Sequence, residues 1–136
     1  MDTPHAPEAV GRRMNVTLWV LQILTGVFFI VASSFPKLIA QSSAVEIFDQ
    51  IGGRWFMYLI GAFELAGGVA LLIPILSGLA SLAFIGLMVG AFITQLVVLD
   101  GENALTPVIL LVIVAVIAWG RRERTAELIA WMRSRR

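Results

Sequence analysis

The chain has 136 residues, of which 59% are hydrophobic and only 14% charged, and its mean hydropathy of +0.91 is too high for an ordinary soluble domain of this size. It contains no cysteine, which excludes disulfides, iron–sulfur clusters, thiolate zinc and dithiol redox chemistry. The net charge of +1 is uninformative, and the single histidine, His5, cannot provide a haem with paired membrane ligands from this chain alone.

Residues 1–13, with Pro4, Pro7 and Gly11, carry no helical apolar pattern and read as a flexible cytoplasmic tail. Apolar stretches follow at about 15–35, 55–75, 78–99 and 104–119, the last near the lower spanning limit of ~17 residues. The expected fold class is therefore all-α, a four-transmembrane-helix bundle over 14–120. Arg12-Arg13 ahead of the first stretch suggests a secretion signal, but about twenty apolar residues followed by three more spans fit an uncleaved helix better.

Pro36 is expected to end the first helix at Phe35-Pro36-Lys37. The connection 38–54 contains Ser43-Ala44-Val45-Glu46, which has the form of a capping box, so a short outer interfacial helix is predicted there, broken by Gly52-Gly53. The second and third helices are joined by only Leu76-Ser77 or so and must be antiparallel neighbours. In the third, Ala83, Gly86, Gly90 and Thr94 form a small-residue stripe that predicts helix packing, and Gly86 and Gly90 would also permit self-association. Gly61, Gly67 and Gly68 predict close packing of the second helix.

Residues 121–136 are basic, with apolar residues at 128, 129, 131 and 132, and predict a C-terminal amphipathic surface helix facing anionic lipid. Six arginines after the last span and two before the first place both termini in the cytoplasm, as an even number of spans requires. The acidic connection Asp100-Gly101-Glu102-Asn103 falls opposite; Lys37 and Arg54 are exceptions to the rule. No aromatic-interleaved basic platform is present, so a nucleic-acid role is a poor competitor.

Glu64 is the only carboxylate inside any span. An acid at the bilayer centre costs about 2.5–3.5 kcal/mol on the mildest scale, so a partner, a proton or water is expected beside it. At ~1.5 Å per residue, Glu64 lies ~14 Å below Trp55 and level with Thr25, while Gln95 lies ~6 Å below Leu99. Thr25, Ser33, Lys37, Glu64 and Gln95 thus fall in one half of the bundle, with the ammonium of Lys37 able to reach toward the acid. Two readings stay open: polar side chains that fix helix geometry, or an outward-facing pocket that binds a polar head group or exchanges a proton. Gln22, nearer the cytoplasm, is expected to satisfy a neighbouring polar group. Tyr58, Trp55 and Phe63 are candidates for a ring pocket, although anchoring and packing explain them more cheaply. No metal ligand set and no covalent cofactor attachment are expected, and no catalytic residue can be assigned.

Gly26-Val27-Phe28-Phe29-Ile30-Val31-Ala32 leading to Pro36-Lys37-Leu38, the segment Gly61 to Leu72 with Glu64, and Gly90-Ala91-Phe92-Ile93-Thr94-Gln95 followed by Asp100-Gly101-Glu102-Asn103 and Pro107 resemble the DoxX and DoxX-like family of small four-helix bacterial membrane proteins. Ser33-Ser34 stands where that family is expected to have a glycine, and Thr94-Gln95 where many members have Thr-His; glutamine can neither relay a proton nor bind a metal as imidazole does. The resemblance implies a multi-pass inner-membrane component of a quinone-linked oxidoreductase system, with quinone as ligand and a soluble or membrane redox partner. The alternative is a non-enzymatic scaffold or a small-molecule binding or transport protein. Four helices are few for a transporter, which would need to form a homo-oligomer.

Overall fold

A computed structural model describes residues 11–101 and 103–135. His5, Glu102, Arg136 and most of the expected tail lie outside the described residues. The described residues form six helices: α1 (Arg12–Leu38), α2 (Ser42–Phe48), α3 (Gly53–Leu71), α4 (Ser77–Val97), α5 (Leu105–Gly120) and α6 (Arg122–Ser134). No strand occurs among the described residues. Helices α1, α3 and α4 are long and apolar enough to cross a membrane; α5, of 16 residues, meets α6 at a bend of 65°.

Helix α1 does not stop at Pro36. Its ladder instead widens into a π-helix over Phe28–Ser34, in which the Phe35 N–H donates to the Ile30 carbonyl, and the helix then runs on to Leu38. Proline lacks the N–H for the regular ladder and its ring crowds the preceding turn, so a local change of winding lets the helix pass through it. Helix α2 forms as expected, but its N-cap is Gln41 and no side chain caps it; the predicted capping box does not form. Gly52 and Gly53, at φ of 133° and 80°, turn the chain into α3 with backbone conformations that other residues rarely adopt.

The four long helices form a ring in which α1 touches α3 and α5, and α4 touches α3 and, most extensively, α5. The inward face of α3 is Met57, Gly61, Glu64, Gly68 and Leu71, a repeat of three and four residues that keeps one stripe pointing at the axis. Across the axis, the rings of Phe29 and Phe84 stack with centroids 4.0 Å apart, and both are fully buried. On the side of these rings toward the chain termini, the core of Leu71, Ala80, Val114 and Ile117 closes the bundle. On the other side the helices diverge under α2.

The glycines of α3 are contact points. A Cβ on Gly61 would press on Lys37 and Leu38, one on Gly67 would strike the Phe84 ring, and one on Gly68 would meet Ile30 and the Gly26 carbonyl. Gly86 and Gly90 behave otherwise: a Cβ on either would meet nothing within 4 Å. Within the chain, the expected packing stripe of α4 therefore packs against nothing at these two positions, because Gly86 lies about half a turn from the buried Phe84 and Met88, on the exposed side of the helix.

Candidate functional site

The divergence of the helices leaves a cavity of about 540 Å³ in the half of the bundle below α2. Phe28, Phe29, Ser33 and Lys37 of α1 form one wall, and Phe56, Ile60 and Glu64 of α3 another. Residues between Gly86 and Gln95 of α4, together with Thr106, Pro107 and Leu110, complete it, while Ala44, Ile47 and Phe48 of α2 lie over the mouth. Most of this lining is apolar, with few polar groups.

The Glu64 carboxylate is buried, and Lys37 Nζ stands 2.9 Å from its Oε1. Gly61 makes this pairing possible. Lacking a side chain one turn before Glu64, it admits the Lys37 stem, and Ser34 Oγ donates to the Gly61 carbonyl at 2.7 Å to fix the two helices there. Lys37 Nζ also donates to the Ser33 carbonyl and to Ser33 Oγ, both at 3.0 Å. Two of the three N–H donors of the ammonium are thus taken by Ser33, and the contact to Glu64 is an ion pair whose buried Oε1 accepts no hydrogen bond.

Ser33, Lys37, Glu64 and Gln95 all line the cavity. Gln95 is held at the outer rim, where its Oε1 accepts the Asn103 N–H at 3.1 Å. Thr25 is not part of this group. Gly26 lies against Gly68, a full turn beyond Glu64, so Thr25 sits lower than the acid, and it precedes Phe29 by one turn, behind the stacked rings. Tyr58 is exposed on the outer surface of α3, six residues and about 120° of helical phase away from Glu64, and Trp55 and Phe63 are exposed as well. The aromatic lining comes from Phe28, Phe29, Phe48 and Phe56; Phe29 continues the buried repeat Leu18, Gln22, Thr25 of α1, a spacing the sequence already offered, whereas Phe48 required the position of α2.

A second polar cluster closes the opposite end. Arg121 donates from Nε to Gln22 Oε1 at 2.6 Å and from Nη1 to Asn15 Oδ1 at 2.8 Å, while Gln22 Nε2 donates to the Leu71 carbonyl at 2.9 Å. Gln22 thus satisfies neighbours, as expected. Arg121 went unnoticed in the sequence because it opens a run of charges that reads as solvent-facing; the break after Gly120 was its one visible signal.

A buried acid–lysine pair held between glycine-notched, membrane-length helices defines a class of small helical membrane protein. The chain belongs to the DoxX-like family, whose sequence profile matches residues 20–117, more than half of its length. Comparison with curated proteins and with solved structures returned no match.

Proposed function

We propose that this DoxX-like protein is the membrane subunit or anchor of a quinone-linked oxidoreductase system, and that its cavity holds the head group of the quinone/quinol couple. The reading is carried by one observation: an apolar cavity large enough for a substituted ring has a single ion pair buried in its wall. Lys37 gives two of its donors to Ser33, and Glu64 Oε1 is buried without a hydrogen-bond partner, so the unmet hydrogen-bonding capacity at the pair includes the carboxylate, which accepts. The head group that fits is therefore a donor, the phenolic hydroxyl of a quinol. The chain's own residues bind and orient: Glu64 accepts from the hydroxyl, Lys37 holds the carboxylate in place, and the phenylalanines enclose the ring and exclude water. Electrons pass to or from the cofactor of a redox partner, which the family resemblance implies. In this reading the protein sits in a bacterial inner membrane as a four-span bundle with both termini cytoplasmic, and α6 lies on the lipid surface.

The test is equilibrium binding of decylubiquinol and decylubiquinone to the protein in nanodiscs. Wild type is expected to prefer the quinol. Glu64→Gln is expected to weaken quinol binding by about tenfold or more, the size of losing a charge-assisted hydrogen bond of ~1.5–3 kcal/mol. Equal binding of both forms that is indifferent to Glu64→Gln would overturn the assignment, and so would no binding by wild type.

A further inference from the structure

Gly86 and Gly90 line the cavity and are at the same time exposed on the flank of the bundle. Gly86 stands about half a turn from the buried Phe84 and Met88 and so faces outward, yet it borders the cavity with Gly90 and a Cβ on either would meet nothing within 4 Å, so the cavity reaches round to this flank and opens there. Its height on the helix matters. Gly86 and Gly90 stand nine and thirteen residues past Ser77, ~14 and ~20 Å along a helix of ~31 Å, so the opening lies in the middle of a membrane-length element and not at its end. On the same flank Ala83, Val89 and Ile93 are exposed and apolar, as a surface against hydrocarbon should be. The other route, through the mouth, is roofed by Ala44 and Phe48 of α2, both buried.

From these positions we propose that the cavity is loaded sideways from the bilayer, through a doorway on α4 whose sill is Gly86 and Gly90, by amphiphiles already dissolved in the membrane. This rests on the ligand-pocket reading above and adds its route and its substrate class: a lipophilic molecule with a small polar head, in preference to a water-soluble analogue of the same head. Glycine suits the sill because a ring must slide past the backbone, and a side chain there would project into the gap.

The experiment follows exchange of a fluorinated decylhydroquinone by ¹⁹F NMR in nanodiscs. Gly86→Leu and Gly90→Leu, alone and together, enter open space and should fold. They are expected to slow association and dissociation alike by about tenfold or more, since a narrowed route acts on both rates; faster dissociation with unchanged association would mean that the side chains only crowd the pocket, and would overturn the doorway. Ile47→Trp, at the α2 mouth, is expected to leave exchange within about twofold of wild type. The opposite pattern, slowing by Ile47→Trp and none by the glycine variants, would overturn the doorway while leaving the pocket intact; absence of binding in wild type would remove both. A second measurement does not depend on the ligand. The chain has no cysteine, so Gly90→Cys takes a single spin label. Collisions with molecular oxygen should dominate over those with a water-soluble nickel chelate. Access to the chelate would mean an aqueous opening, and shielding from both would mean that a second copy covers the flank; either result overturns the proposal.

Discussion

Lys37 and Glu64 are a pair because each would be too costly alone at this depth. The carboxylate is 4% exposed, and a lysine with three oxygen partners has no reason to leave it. Removing one partner should be worse than removing both. Lys37→Met is expected to destabilise the bundle by about 3–5 kcal/mol, whereas Lys37→Met combined with Glu64→Leu should recover most of that loss. Reversible unfolding in mixed micelles measures both; equal losses in the single and double variants would show that the acid left without Lys37 is solvated or protonated and is not a stranded charge. This site was legible because a lone acid in an apolar run demands company, and Lys37 is the basic residue whose stem can reach it. Arg121 was barely legible, since only its place directly after the break at Gly120 distinguishes the first arginine, bound to Gln22 and Asn15, from its exposed neighbours in Arg121-Arg122-Glu123-Arg124.

At the scale of the helix, the glycines divide into two kinds that no spacing rule separates. Gly68 faces backbone and a branched side chain, and Gly67 a ring already stacked on Phe29, so a methyl group at either forces helices apart. Gly68→Ala is expected to cost about 1–3 kcal/mol, the usual penalty for overpacking. Gly86→Ala should be neutral, or stabilising by up to about 1 kcal/mol, because it gains helix propensity and meets nothing. The same unfolding assay ranks them, and a destabilising Gly86→Ala would reveal a contact, within the chain or with another copy, that fills the gap. Helix α1 teaches a related lesson. Its proline predicts a stop, but the chain can change winding instead of ending, and the outcome depends on whether the residues beyond Pro36 gain from staying helical. Lys37, bonded to Ser33 one turn back and to Glu64 across the interface, is such a gain.

For the whole molecule, the ring α1–α3–α4–α5 is sealed at the end where α1 begins and α5 finishes. There Arg121 ties α1 to the α5–α6 junction and Thr125 packs against Gly78, and the ring is open toward α2. On the topology proposed above, the sealed end faces the cytoplasm. Green fluorescent protein fused at either terminus is expected to fluoresce, and alkaline phosphatase at the same positions to be inactive. An active phosphatase at the C-terminus with an inactive one at the N-terminus would mean that α5 does not complete a span.

Composition and periodicity alone were enough to determine that this chain is a helical membrane protein, where its long apolar helices fall, and which acid among them needs a partner. These follow from the cost of placing polar groups in hydrocarbon, a cost each residue incurs whatever surrounds it. Tertiary packing decided the rest: that Lys37 reaches Glu64 through the notch at Gly61, that Thr25 and Tyr58 lie away from the cavity, and that Gly86 and Gly90 border an opening where contact was expected. Each of these depends on helix phase and on what stands opposite, and a π-turn of a few residues is enough to rotate one face of a helix away from another.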